Sequence, residues 1–108
     1  MVSVAAGDGL ASLFKDLMVD YVIEGGQTMN PSANDIASAV DRVNAQNVFV
    51  LPNNKNIILA SEQAKALTNK NIIVIPTRSV TEGVSACLAF NEDANMEDNI
   101  EAMTESIK

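Results

Sequence analysis

The stretch that decides the fold runs from Asn47 to Ile57 and reads NVFVLPNNKNI. Its first part, VFVL, is apolar, contains two β-branched valines and ends at Pro52, which predicts a strand buried on both faces. Its second part is polar and leads into an apolar stripe with helical spacing, for which Asn53 is the expected N-cap. The stripe consists of Ile57, Ala60, Ala64 and Leu67. Strand, polar turn and capped helix in this order indicate one unit of a parallel α/β sheet.

The same pattern recurs on both sides of this unit. Further strands are expected at Val2 to Ala6, Tyr21 to Ile23 and Asn71 to Ile75. Helical stripes are formed by Leu10, Leu13, Phe14 and Leu17, by Ile36, Ala39, Val40 and Val43, by Val80, Val84 and Leu88, and by Ile100, Met103 and Ile107. Ser32 with Asp35 and Ser79 with Glu82 resemble capping boxes, and Asp8 is the expected N-cap of the first helix. Because crossovers between parallel strands are right-handed, we predict an α/β fold: a three-layer doubly wound sandwich with a mainly parallel four-stranded sheet and helices on both faces.

Composition and charge narrow the classes of function. The net charge is −7, which disfavours binding to nucleic acid and to anionic membranes. The single cysteine, Cys87, cannot form an internal disulfide, which fits a cytoplasmic location, and no apolar run is long enough to span a bilayer. We therefore expect a soluble, cytoplasmic protein. Residues 1–108 are expected to form one domain, and because both ends fall within apolar or helical patterns, we expect this domain to be a fragment of a longer protein.

Ligands of open parallel sheets bind at the carboxyl ends of the strands, and the loops at these ends supply the candidate site. The candidate ligand- or partner-binding residues are Asp8, Gly25, Gly26, Gln27, Thr28, Asn30, Asn53, Asn54, Lys55, Thr77 and Arg78. Glycines, amides, hydroxyls and two cations suit a polar or phosphorylated group, although the same residue types also form ordinary turns and caps. No catalytic residue and no metal site is expected. Cys87 lies in an apolar helical pattern with no histidine to activate it, and Asp8 and Glu24 fit a cap and a solvated acid better than a metal pair.

The loops also resemble a known family. The strings GGQTMNPS at 25–32 and LPNNKNI at 51–57, together with AGDGL at 6–10 and IPTRS at 75–79, resemble those of the bacterial dihydroxyacetone-kinase-like proteins, the kinase subunit of fatty acid kinase. The resemblance covers nearly the whole chain and implies that it is the first half of the C-terminal region of such a protein. True dihydroxyacetone kinases hold their substrate through a histidine, which this chain lacks.

The resemblance implies a division of labour between this domain and its parent. ATP and magnesium are expected in the parent's separate kinase domain, with no cofactor in this domain. The expected partners are the acyl-binding protein of the fatty acid kinase and the other domains of the parent chain. The favoured hypothesis is a non-catalytic docking module that helps present a protein-bound fatty acid for phosphorylation. A domain that binds a small phosphorylated or dihydroxyacetone-like molecule and a purely structural assembly domain remain alternatives.

Overall fold

The computed structural model describes residues 1–5, 8–17, 19–24 and 31–108, with residues 8–11 as backbone only. Four strands form one sheet: β1 (Val2–Ala5), β2 (Tyr21–Glu24), β3 (Asn47–Leu51) and β4 (Asn71–Val74). Their order is β2-β1-β3-β4, and all pairings are parallel. The predicted strands are thus confirmed to within one residue at their described ends, and the sheet is parallel throughout its described extent.

The helices cover both faces of this sheet. They are α1 (Asp8–Asp16), α2 (Ala33–Asp41), α3 (Lys55–Ala64) with a 3₁₀ turn at Lys65–Leu67, α4 (Val80–Ala89) and α5 (Met96–Ser106). One core cluster joins the sheet to α2 and α3, and a second joins it to α1, α4 and α5. This arrangement confirms the three-layer doubly wound fold. None of the described helices combines the length and the apolarity that crossing a membrane requires.

The helix caps agree with the sequence only in part. Ser32 and Asp35 form the predicted capping box. Ser79 accepts from the backbone N–H of Glu82 as expected, but the Glu82 carboxylate accepts from the N–H of Arg78 and not from that of Ser79. The first helix begins at Asp8 itself, and its predicted capping side chain lies outside the described residues.

The N-cap of α3 is Asn54, so the prediction of Asn53 was wrong by one position. An N-cap residue needs an extended backbone, which Asn54 has with φ −161° and ψ 128°. Asn53 instead adopts φ 58°, in the left-handed region. Its side chain is consequently free for a different role, which the site geometry below defines.

Two predicted apolar stripes end on exposed residues. Leu88 is 70% exposed and Leu67 is 49% exposed. The buried face of α4 consists instead of Gly83, Ala86 and Cys87, whose small side chains let the helix approach the sheet closely. Leu67 lies in the 3₁₀ turn, where three residues per turn rotate it away from the α3 stripe.

Lys70 closes the end of α2 from a distant part of the chain. Its ammonium donates to the carbonyl oxygens of Val40 at 3.1 Å and Asp41 at 3.2 Å, and also to that of Val43. The last carbonyls of a helix lack partners within it and carry the negative end of the helix dipole. Lys70, which directly precedes β4, therefore ties α2 to the start of that strand.

We expect Lys70→Met to lower the free energy of unfolding by about 1–2 kcal/mol, because it removes a charged donor from three carbonyl groups, of which those of Val40 and Val43 keep a backbone donor. Urea denaturation followed by circular dichroism measures this change. Lys65→Met is the matched control, since Lys65 is exposed and, among the residues that the structure describes, pairs only with Glu62. Equal losses in the two variants would contradict the capping role.

Candidate functional site

The reversal of strand order places the expected ligand crevice between β1 and β3. The chain leaves β1 toward β2 and leaves β3 toward β4, so the two connections diverge at this point. Doubly wound sheets bind ligands where this divergence opens a gap at the carboxyl ends of the strands. The residues just after β3 therefore decide whether a crevice is available.

The side chain of Asn53 occupies this position. Its Nδ2 donates to Ser3 Oγ at 2.8 Å and to the carbonyl oxygen of Val4 at 2.9 Å, while its backbone N–H donates to Thr77 Oγ1 at 2.9 Å. Asn53 is only 8% exposed. One buried residue thus links β1, the end of β3 and the segment that follows β4.

The end of the β1–β3 ladder explains why an amide is needed. The registered pairs are Val2 with Val50 and Ser3 with Leu51, so the next ladder bond would involve Val4. Pro52 follows Leu51 and has no N–H to donate. The Asn53 amide supplies the missing donor, since a buried carbonyl without a partner would be costly.

Backbone conformation and packing further restrict Asn53. Its φ of 58° is one that asparagine tolerates better than most non-glycine residues. Its Oδ1 is buried without a hydrogen-bond partner among the described residues and lies against Gly83 of α4. A Cβ atom added to Gly83 would overlap this oxygen, so α4 can pack this closely on the Asn53 side chain without strain only with glycine there.

The structure separates the other candidate residues into buried and exposed groups. Thr77 is fully buried and accepts from Asn53, and Asn54 accepts from the N–H of Asn56 at 2.8 Å as the cap of α3. Lys55 and Arg78 are exposed, at the first residue of α3 and just before the N-cap of α4. Asn53 and Thr77 thus meet at the crevice, while the two cations lie on its outer rim.

The remaining candidates cannot be placed. Gly25, Gly26, Gln27, Thr28, Asn30 and the side chain of Asp8 lie outside the described residues. A ligand- or partner-binding role for any residue of the set stays a prediction.

A cleft of about 760 Å³ lies elsewhere, along the outer edge of β2 between α1 and α2. Its charged lining residues are Lys15, Asp20, Glu24, Asp35 and Arg42. Arg42 Nη1 donates to the Tyr21 hydroxyl at 3.2 Å, and its guanidinium lies 5.4 Å from the centre of the Tyr21 ring. Sequence reasoning missed this cleft because it depends on β2 being an edge strand, and strand order could not be inferred from the sequence.

Cys87 is not suited to nucleophilic chemistry. Burial raises the pKa of its thiol to about 11, although the positive charge of the N-terminus acts in the opposite direction. No group of three or more His, Cys, Asp or Glu side chains that could hold a metal ion occurs within the described ranges. The chemistry of the described rim is therefore that of exposed cations, helix N-termini and internally bonded amides.

Comparisons with known proteins agree on one family. The family model for the C-terminal domain of FakA-like fatty acid kinase proteins matches residues 1–108. The chain is 51% identical over 108 residues to Protein YloV of Bacillus subtilis, and the match covers 100% of this chain and 20% of that protein. An uncharacterized protein of Staphylococcus epidermidis is 41% identical over 108 residues, again with 100% of this chain and 20% of the relative covered. An uncharacterized protein of Staphylococcus aureus is 38% identical over 107 residues, which cover 99% of this chain and 20% of the relative. The chain thus spans about a fifth of the length of the curated relatives it matches.

The contact between Asn53 and Gly83 predicts a reversal of sign in a double-mutant cycle. In the otherwise unchanged chain, Gly83→Ala should cost about 1–3 kcal/mol because the new methyl group overlaps the Asn53 amide. In an Asn53→Gly background the overlap is gone, and the same substitution should stabilise by up to about 1 kcal/mol through helix propensity. Urea denaturation of the four proteins measures the coupling. The same effect of Gly83→Ala in both backgrounds would contradict the contact.

Cys87 should react slowly with a thiol reagent in the folded chain. With a pKa of about 11, about one thiol in a thousand is ionised at pH 8, and the reactive species is the thiolate. The rate should rise as the pH approaches 11, and unfolding in urea at pH 8 should speed the reaction many-fold. The absorbance of the product that a disulfide reagent releases measures both rates. Equal rates in the folded and unfolded chain at pH 8 would contradict burial of the thiol.

Proposed function

Because the chain belongs to the family of FakA-like fatty acid kinase C-terminal domains, we propose that it is a non-catalytic docking module of a fatty acid kinase. In this proposal it helps present a protein-bound fatty acid for ATP-dependent phosphorylation to an acyl phosphate. ATP and magnesium bind in a separate kinase domain of the parent, and this domain carries no cofactor. Its partners are the acyl-binding protein and the other domains of the parent, in the cytoplasm.

The observation that carries this proposal is the occupied crevice at the strand ends. The Asn53 amide bonds to Ser3 and Val4 and packs against Gly83 where a doubly wound fold usually holds a small ligand. A buried side chain with these bonds leaves little room for a metabolite between β1 and β3. Function at this end of the sheet therefore belongs to the outer surface of the loops, which suits contact with a macromolecule.

The charge on this surface points to the kind of partner. The chain as a whole carries −7, yet its rim presents the exposed cations Lys55 and Arg78 beside the N-termini of α3 and α4. The positive end of each helix dipole adds to these side chains. An acidic patch of the acyl-binding protein would meet complementary charge here and be repelled by the rest of the acidic surface, which favours one docking orientation.

Titration of the chain with purified acyl-binding protein of a fatty acid kinase, loaded with fatty acid, tests the proposal. The double variant Lys55→Glu/Arg78→Glu should bind about tenfold more weakly, mostly through slower association at low salt. Lys55 and Arg78 are better targets than Asn54, since Asn54 caps α3 and its loss would lower stability by about 1 kcal/mol.

Lys65→Glu, at the far end of α3, makes the same charge change per site and is the control. An unchanged chain that does not bind the acyl-binding protein would contradict the docking function. If Lys65→Glu weakened binding of the acyl-binding protein equally, the docking surface could not be the rim at Lys55 and Arg78. Chemical shift changes at Lys55 and Arg78 on addition of inorganic phosphate or dihydroxyacetone, without binding of the protein, would favour the small-molecule alternative.

A further inference from the structure

Two leucines are exposed on the face of the sheet that α1, α4 and α5 cover. Leu13 of α1 is 41% exposed and Leu88 of α4 is 70% exposed. Leu88 ends a stripe with the half-buried Val80 and Val84, and this stripe lies beside the buried face of α4 and not within it. The orientation of the two helices decides whether these apolar side chains meet.

α1 and α4 run in the same direction across the sheet. α1 connects two parallel strands and therefore runs opposite to them. α4 begins beside Asn53 at the carboxyl end of the strands, and the chain then reaches Met96, which contacts Asn71 at the start of β4. Two helices with one direction on one face display the residue that follows a buried position on the same side.

This rule places an apolar groove between α1 and α4. Lys15 follows the buried Phe14 and lines the cleft beside β2, so this side of each helix faces β2. Val84 follows the buried Gly83, and because α4 packs after β3 while α1 packs on β1 and β2, Val84 faces α1. Leu13 precedes Phe14 and faces α4. The walls of the groove are Leu13 and Leu17 on α1 and Val80, Val84 and Leu88 on α4.

The negative charge of the chain lies in the segments that form this face. Residues 75–108, with α4 and α5, contain seven acids and two cations, and residues 1–24, with α1, contain four acids and one cation. Residues 31–70, with α2 and α3, contain three acids and four cations. The groove is therefore set in the acidic face of the domain, while the opposite face is nearly neutral.

Exposed carboxylates flank the groove at the amino end of the strands. Asp16 lies at the end of α1, and Glu92 and Asp93 follow α4. Asp20, just before β2, is also exposed, and Lys15 is the single cation among residues 1–24. An apolar groove with an acidic end requires an occupant that is both apolar and basic.

We propose that this groove binds a basic amphipathic helix of a partner protein. A helix satisfies its own backbone groups, whereas an extended segment would find no backbone donors or acceptors on walls of apolar side chains. The apolar face of the partner helix would cover Leu13 and Leu88, and its cations would meet Asp16, Glu92 and Asp93.

Charge also sets the direction of the helix and disfavours a second copy of this chain. The positive end of the helix dipole fits the acidic end of the groove, and the negative end fits the end where Arg78 precedes α4. A second copy would bring the same acidic face and be repelled. This inference is independent of the docking of an acyl-binding protein at the rim.

Titration with a synthetic peptide of about 18 leucines and lysines, with the leucines on one helical face, tests the proposal. Fluorescence anisotropy of the labelled peptide should show saturable binding to one site. Leu88→Ser should weaken this binding about tenfold, because it removes the most exposed part of the wall. Leu59→Ser is the matched control, since Leu59 is 65% exposed on α3, on the opposite face, and should change binding by less than about twofold.

Two further peptides separate the groove from general attraction to an acidic surface. A peptide of the same composition with its leucines spread around the helix should bind at least about tenfold more weakly, and one with glutamates in place of lysines should not bind. Absence of saturable binding, equal binding of the three peptides, or equal effects of Leu88→Ser and Leu59→Ser would overturn the proposal. So would a mass of twice 11.5 kDa in sedimentation velocity that Leu88→Ser returns to 11.5 kDa, since a second copy would then fill the groove.

Discussion

The hydrogen bonds of Asn53 hold together the end of the sheet at which its strands terminate. The residue bonds to β1 through Ser3 and Val4 and to the segment after β4 through Thr77, across separations of 24 to 50 residues along the chain. These contacts impose a left-handed backbone on Asn53 and a glycine at position 83. Since contacts distant in sequence must form together, the strand ends, the start of α3 and the position of α4 are coupled through one side chain.

The sequence was sufficient for the element order and the fold, because each strand is an apolar run and each helix has an apolar stripe. It was insufficient for the roles of adjacent asparagines. In LPNNKNI either Asn53 or Asn54 has the side chain of an N-cap. Their roles differ because Pro52 has no N–H to continue the hydrogen bonds between β3 and β1, while the carbonyl oxygen of Val4 still needs a donor. This requirement comes from β1, about fifty residues away along the chain. A local pattern carries no information about such a partner.

Similar reasoning explains the other departures. The stripe of Val84 and Leu88 is the more hydrophobic face of α4, yet the helix buries its smaller side chains because Gly83 must meet the Asn53 amide. The common position of Asn53, Asn54, Lys55, Thr77 and Arg78 at one end of the sheet was predictable, since parallel strands end at the same side of a sheet. Which of them are buried was not predictable, because burial depends on how closely α4 approaches. The cleft along β2 needed the strand order, which depends on how the whole sheet assembles.

The cations of the chain separate structural from surface roles. Four of the seven have internal partners: Lys70 at the end of α2, Arg42 on Tyr21, and Lys65 and Lys108 with neighbouring glutamates. The other three, Lys15, Lys55 and Arg78, are exposed, and their side chains make no hydrogen bond or ion pair within the described part of the chain. In a chain of charge −7, a cation without an internal partner is a local exception to the surface potential. Two of these exceptions, Lys55 and Arg78, lie on the rim beside the buried Asn53 side chain, so the rim is the part of this acidic surface where an acidic partner would meet the least repulsion.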